Sequence, residues 1–154
     1  MAMAWIVHIR NTSSAQVTLR QNDPTWHPVI NGHQYGIDEP IVVAPGADLR
    51  CSYFVVPWEA YGRLEVTTQR GTYTFCVGPN ATGTDCLKGR ASNDQNPTPL
   101  PLGDQGNQFY SPSLEMRLDL SDTGVTFVRV GQGWESVIGS TIYHALKTYF
   151  TGSR

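Results

Sequence analysis

Leu114-Glu115-Met116-Arg117-Leu118-Asp119-Leu120-Ser121-Asp122-Thr123-Gly124-Val125-Thr126-Phe127-Val128-Arg129-Val130 is the stretch that decides the fold class. Apolar and charged residues alternate up to Leu120, a polar turn ending in glycine interrupts them, and β-branched and aromatic residues follow. That is the pattern of two strands joined as a hairpin. Across Gly131-Gln132-Gly133 the period then changes. Trp134, Val137, Ile138, Thr141, Ile142, Ala145, Leu146, Tyr149 and Phe150 recur three and four residues apart, with Glu135, Ser136, Ser140, His144, Lys147 and Thr148 on the other face. Residues 134–150 therefore read as one amphipathic helix, which Gly152 ends.

Working back toward the N-terminus, Trp5, Val7 and Ile9 alternate with Ile6, His8 and Arg10, Asn11 to Ser14 turn the chain, and Val17 and Leu19 resume the period of two. This predicts an opening hairpin. From Gln21 to Pro40 the pattern dissolves into turn pairs such as Asp23-Pro24 and Asn31-Gly32, a structured loop region with one short strand. Ile41 to Ala44, Leu49 to Val56, Arg63 to Thr68 and Thr72 to Val77, separated by Pro45-Gly46 and Arg70-Gly71 turns, read as successive strands of an antiparallel meander. Residues 78–112, rich in Pro, Asn, Asp and Gly, form a long aperiodic stretch of the kind that tends to carry function. The expected fold is mainly β: a single domain over 1–154, made of an antiparallel β-sandwich of about eight strands over about 4–130 and a C-terminal amphipathic helix over about 134–150.

Composition narrows the function classes. Charged residues make up 16% of the 154, below the roughly 25% usual in soluble domains, and the abundance of turn formers suits many short strands. A formal net charge of −2 and the lack of a basic stripe argue against nucleic acid as a partner. The apolar stretch at Met1 to Ile9 is too short for a signal peptide, and no window is long enough to span a bilayer. A soluble protein is expected, cytoplasmic until released by a non-classical route. Cys76 and Cys86 bracket a short Gly-Pro-Asn-Ala-Thr-Gly segment that a disulfide would close, while three reduced thiols including Cys51 suit a chain without a secretion signal. Asn11-Thr12-Ser13 and Asn80-Ala81-Thr82 match the glycosylation pattern, which has meaning only with secretion.

Chemistry-bearing motifs are few. His27 and His33 are the one histidine pair close enough in sequence to begin a metal site, but zinc and copper need three or four ligands and no Cys or carboxylate joins them at a familiar spacing. No Gly-x-Ser-x-Gly occurs, and Cys51 sits within an alternating strand as a small core residue would. Asp38 with Glu39, or Glu59 with Glu65, form a carboxylate pair only if the fold brings them together. Neither a catalytic set nor a cofactor is expected. The aromatic run Tyr53-Phe54-Val55-Val56-Pro57-Trp58-Glu59-Ala60-Tyr61 is more informative. Trp and Tyr rings at a strand end can hold a quaternary ammonium, lie at lipid headgroup level or stack on sugars, and Trp26 and Tyr110 extend such a surface where their loops meet it. The competing expectation is that these rings are core, with Trp58 covering a sheet edge.

The opening Ala4-Trp5-Ile6-Val7-His8-Ile9-Arg10-Asn11, with Val17, Leu19 and Trp26, resembles the start of aegerolysins, small β-sandwich proteins that bind membrane lipids. Val43-Ala44-Pro45-Gly46 continues the likeness. Leu49 to Trp58 is similar to the actinoporin strand that runs into a Val-Pro-aromatic turn at the phosphocholine pocket, here Val56-Pro57-Trp58 with Tyr61 nearby. The chain departs from both. It lacks the aegerolysin Trp-Asp-Cys-Pro-Trp and Gly-Arg-Ser segments, and the actinoporin membrane helix is N-terminal.

The resemblances imply a non-enzymatic protein that binds sphingolipid or phospholipid headgroups through Tyr53, Trp58, Tyr61, Trp26 and Tyr110. On this expectation it extends to a pore-forming toxin or toxin subunit whose helix, through Trp134, Ile138, Ile142, Leu146, Tyr149 and Phe150, inserts in the membrane or engages a partner protein or further copies of the chain. The alternative is a lectin-like module that holds carbohydrate on the same aromatics. A third reading is a small enzyme with a pocket between the long loops.

Overall fold

The computed structural model describes residues 3–79, 83, 85–91, 98–99, 114–131 and 145–148. These form strands β1 (Ala4–Asn11), β2 (Val17–Gln21), β3 (Val29–Ile30), β4 (His33–Gln34), β5 (Ile41–Val43), β6 (Asp48–Ser52), β7 (Leu64–Thr68), β8 (Gly71–Pro79), β9 (Asp85–Ala91), β10 (Thr98–Pro99), β11 (Leu114–Ser121), β12 (Gly124–Gly131) and β13 (Ala145–Thr148). Two sheets result, in the orders β13-β12-β11-β1-β6-β3-β4 and β10-β9-β8-β7-β2-β5. All strand pairs are antiparallel except β1 with β11. The mainly β expectation holds.

The two sheets face each other across one apolar core. Ile6, Ile9, Leu118, Leu120 and Phe127 come from the first sheet, Leu19, Leu64, Val66, Phe75, Val77 and Leu87 from the second. Phe75 and Phe127 meet edge to face with ring centroids 4.9 Å apart, which joins the sheets near their centre. The β11–β12 hairpin forms as its alternation predicts, with Ser121 opposite Gly124 across a two-residue loop. The β7–β8 hairpin is likewise as expected, and Asn31-Gly32 closes the small β3–β4 hairpin with both residues at positive φ, the requirement of a type I′ turn.

Three sequence expectations are corrected. First, β1 and β2 do not pair as a hairpin. They lie in different sheets, and residues 12–16 are a corner between the layers. Pro45-Gly46 is a second such corner, from β5 in one sheet to β6 in the other, so the expected continuous meander is broken there and again between β6 and β7, which also lie in different sheets. Local alternation cannot tell a hairpin turn from a corner, because both need polar turn residues between two half-buried strands. Second, Trp5, Val7 and Ile9 do not share a face. The β1–β11 register slips between Ile6 and His8, so Val7 is a bulge: Ala4 and Ile6 face the core before it, Ile9 and Asn11 after it. Third, within the span expected to be helical, residues 145–148, including Leu146, form β13 paired to β12. The rest of that span, with Trp134, Ile138, Ile142, Tyr149 and Phe150, lies outside the described residues, as does Tyr110. Among the described residues no helix is long and apolar enough to cross a membrane.

Asn11 holds both corners. It is fully buried, and its side-chain amide donates to the carbonyls of Ala15 (3.0 Å), Val43 (3.0 Å) and Ala44 (3.2 Å). Its Oδ1 accepts from the Ser13 backbone N–H (3.0 Å) and hydroxyl (2.6 Å). Its own N–H donates to Ala47, and its carbonyl accepts from Gly46. An amide so enclosed is not a glycosylation acceptor, whatever the Asn11-Thr12-Ser13 pattern suggests. Nearby, the Asp122 carboxylate in the β11–β12 turn accepts from the Ser14 N–H and hydroxyl, both at 3.0 Å.

Asn11→Ala strands buried carbonyls at about 1 kcal/mol each and is expected to cost about 2–4 kcal/mol in urea unfolding. Asn11→Asp, which turns a negative oxygen toward the same carbonyls, costs more. Asp122 has its pKa lowered from 3.8 by the Ser14 backbone N–H and then its hydroxyl. A depressed folded value adds stability above the ordinary carboxylate pKa that is lost as pH falls through the folded one. Melting temperatures taken from neutral pH to about pH 3 should therefore fall less steeply for Asp122→Asn than for the parent chain.

Candidate functional site

At the end of the sandwich opposite these corners, two loops converge. One follows β2 and the other runs from the end of β6 to β7. Asn22 ties them: its Oδ1 accepts from the Arg63 N–H at 2.7 Å, and its N–H donates to the Arg63 carbonyl. Gly62 packs so tightly here that a Cβ would collide with the Asn22 side chain. Within the first loop, Asp23 is buried and caps Thr25 through a 2.7 Å hydrogen bond, and the β4–β5 connection joins this end where the Asp38 N–H donates to the carbonyl of Gln21 at the end of β2.

Three aromatic rings assemble on the outer side of the first sheet at this end. Trp26 lies nearly parallel to Tyr53, centroids 6.5 Å apart and planes at 14°, while Trp5 meets Trp26 edge-on at 5.2 Å and 81°. Two of the rings are placed by local irregularities. The Val7 bulge leaves Trp5 facing outward while Ala4 and Ile6 face inward. Tyr53 directly follows β6 with φ +56°, a left-handed conformation that costs a bulky residue about 1–2 kcal/mol. Directly after it the chain re-pairs with β1: Phe54 accepts from the Ile6 N–H, Val56 donates to Ala4, and both side chains are fully buried. The strand is held on either side of Tyr53, which forces its ring out to 59% exposure.

The expected five-residue set divides. Trp26 and Tyr53 come together, with Trp5 as a member that the sequence reading did not include. The signal was present in Trp5-Ile6-Val7, three apolar residues in a row that strict alternation does not accommodate. Trp58 sits elsewhere: it is half-buried against the core, and Glu59 and Pro57 on either side of it hydrogen-bond the Val77 backbone at 2.8 Å. Tyr61, in the turn that follows, is 59% exposed. Tyr53, Tyr61 and Ile37, at 51%, are three of the four strongly exposed large apolar residues described, and all three lie on the segments that converge at this end. The fourth, Val42, is on β5.

Among the described residues, His27 and His33 have separate surroundings. His33 contacts the Glu39 carboxylate at 2.6 Å and the Tyr35 ring edge-on at 4.4 Å, and Nδ1 of His27 is buried with no hydrogen-bond partner among the described residues. No group of three or more metal-ligating side chains occurs among the described residues. Cys51, Cys76 and Cys86 are free thiols. Burial pushes Cys51 up to about 12, and burial followed by Glu59 pushes Cys76 up to about 11, so both stay protonated and weakly nucleophilic at neutral pH. Cys76 lies opposite Lys88 and Cys86 opposite Gly78, making the two cysteines diagonal neighbours on one face.

No family model, no curated protein and no solved structure matches this chain.

Tyr53→Gly relieves the left-handed strain while removing a ring contact worth about 1 kcal/mol, so thermal unfolding should show little net change. Trp58→Ala, by contrast, removes core packing and should cost about 2–3 kcal/mol.

Proposed function

We propose that the protein binds membrane lipid headgroups through the aromatic end of the sandwich, with Trp26 and Tyr53 as the contact pair and Trp5 as their support. The observation that carries the reading is the concentration of exposed apolar and aromatic side chains, Ile37, Tyr53 and Tyr61, on the loops of one end. Aromatic rings with one polar edge suit the lipid–water boundary, and the face of a Trp or Tyr attracts a quaternary ammonium. The resemblance of the opening strand to aegerolysins, and of residues 49–58 to actinoporins, adds to this reading. Trp58 enters it as a packing residue that shapes the loop, and Tyr61 as an outer contact. Pore formation, insertion or recruitment of a partner through Trp134, Ile138 and Ile142 extends the proposal.

A lectin-like role is the second reading. Its basis is the stacked pair Trp26 and Tyr53, planes at 14°, rings of the type on which sugars stack.

Co-sedimentation with liposomes of varied headgroup, phosphocholine and phosphoethanolamine sphingolipids included, should show headgroup-dependent binding that falls at least about tenfold (1.4 kcal/mol) in Trp26→Ala/Tyr53→Ala. Dye release read in the same tubes decides whether binding leads to leakage. Equal binding by parent and variant removes the assigned site. Indifference to every liposome together with binding on a glycan array establishes the second reading instead.

A further inference from the structure

The second sheet carries a separate feature on its solvent-facing side. Strand register aligns Arg20, Glu65, Thr74 and Arg90 across β2, β7, β8 and β9, and sets Cys76 beside Lys88 one step along. The Glu59–Arg63 loop folds over this surface. Its Glu59 side chain covers Gly78, which has no Cβ to obstruct it, and pairs with Lys88 at 3.2 Å. A cavity of about 290 Å³ remains, lined by Glu59, Gly62, Arg63, Thr74, Cys76 and Arg90, with Phe75 at its base.

Two features of this cavity call for a ligand. The first is positive charge: Arg63 and Arg90 line the cavity, and among the described residues the Glu59 carboxylate is already matched by Lys88. Arg63 makes no ion pair among the described residues. The second is Thr74, only 8% exposed, whose hydroxyl is buried with no hydrogen-bond partner among the described residues. A buried hydroxyl left unpaired carries its full desolvation penalty, so such groups in native proteins usually meet a partner. Guanidinium groups supply planar, charge-assisted donors that match the oxygens of carboxylate and phosphate.

The geometry points to a binding site for a small oxyanion, a carboxylate or phosphate group seated between Arg63 and Arg90 with the Thr74 hydroxyl turned to donate to it. Cys76 is the neutral floor of this site. Its thiol stays protonated, so it brings no negative charge to repel the ligand. Glu59 at the rim accepts from a hydroxyl or ammonium carried by the same molecule. The site lies on the other sheet from Trp5, Trp26 and Tyr53, and it stands whether or not those rings bind lipid.

The test is an NMR titration of the full chain with inorganic phosphate at constant ionic strength, with sodium chloride as the control, alongside sedimentation with phosphatidic acid vesicles. Saturable shifts at the Arg63, Thr74 and Cys76 amides, absent with chloride and weakened at least tenfold in Arg63→Gln/Arg90→Gln, establish a site for a free oxyanion. Binding confined to phosphatidic acid vesicles and lost in the same variant places the oxyanion on a lipid. Thr74→Val is the control for folding. It removes the unpaired hydroxyl, so it should raise the melting temperature of the free protein while weakening phosphate or vesicle binding several-fold. The proposal is overturned by unchanged affinity in the arginine variant, or by no response to either probe.

Discussion

The amide of Asn11 is the contact on which the layered arrangement depends. A sandwich whose neighbouring strands in sequence lie in different sheets must turn corners, and each corner leaves backbone carbonyls in the interior without a ladder partner. Of the chain's several crossings between the sheets, those after β1 and after β5 touch each other. One buried side chain with two donors and an acceptor satisfies both at once. No apolar residue of that size could do so, and an acid would set like partial charges together.

With the corners pinned at one end, irregularity collects at the other. The bulge at Val7 and the left-handed Tyr53 interrupt neighbouring edges of the β1–β6 pairing, and the chain re-pairs at once through Phe54 and Val56. The core accepts alternate residues on either side of the break and expels those within it. Trp5 and Tyr53 are thereby displayed on a surface that regular strands would have covered with short polar side chains. Trp26 is carried to them by a loop stiffened through Asp23 and Asn22, so the rings are positioned before any ligand arrives.

The two sheets consequently present different chemistry. The outer face of the first sheet combines the aromatic group with a lattice of opposite charges, including the Arg117–Asp119 fork at 2.7 and 2.9 Å. Both side chains of that fork are partly buried, 24% and 25% exposed. The outer face of the second sheet, among the described residues, sets Arg63 and Arg90 around a cavity that the buried Thr74 hydroxyl adjoins. A weakly negative overall charge conceals this asymmetry, because the net value averages over faces that register separates.

Much of the β content was legible in the residues themselves. Alternation from Leu114 to Val130 specified the β11–β12 hairpin, and the Asn31-Gly32 and Arg70-Gly71 pairs marked true turns, because these signals depend on φ preferences and a period of two within a few residues. The apolar spacing after Gly133 was less decisive. At Ala145–Thr148 the free edge of β12 supplies backbone partners, and pairing there outweighs local periodicity. Only the tertiary structure decided that Asn11 to Ser14 is a corner and not a hairpin, that Trp5 faces out, that Trp58 parts from Tyr53, and that Arg63, Thr74 and Arg90 share a cavity. Each of these turns on which strand lies beside which, over separations of tens of residues. A one-residue shift in that register reverses the face of every side chain beyond it.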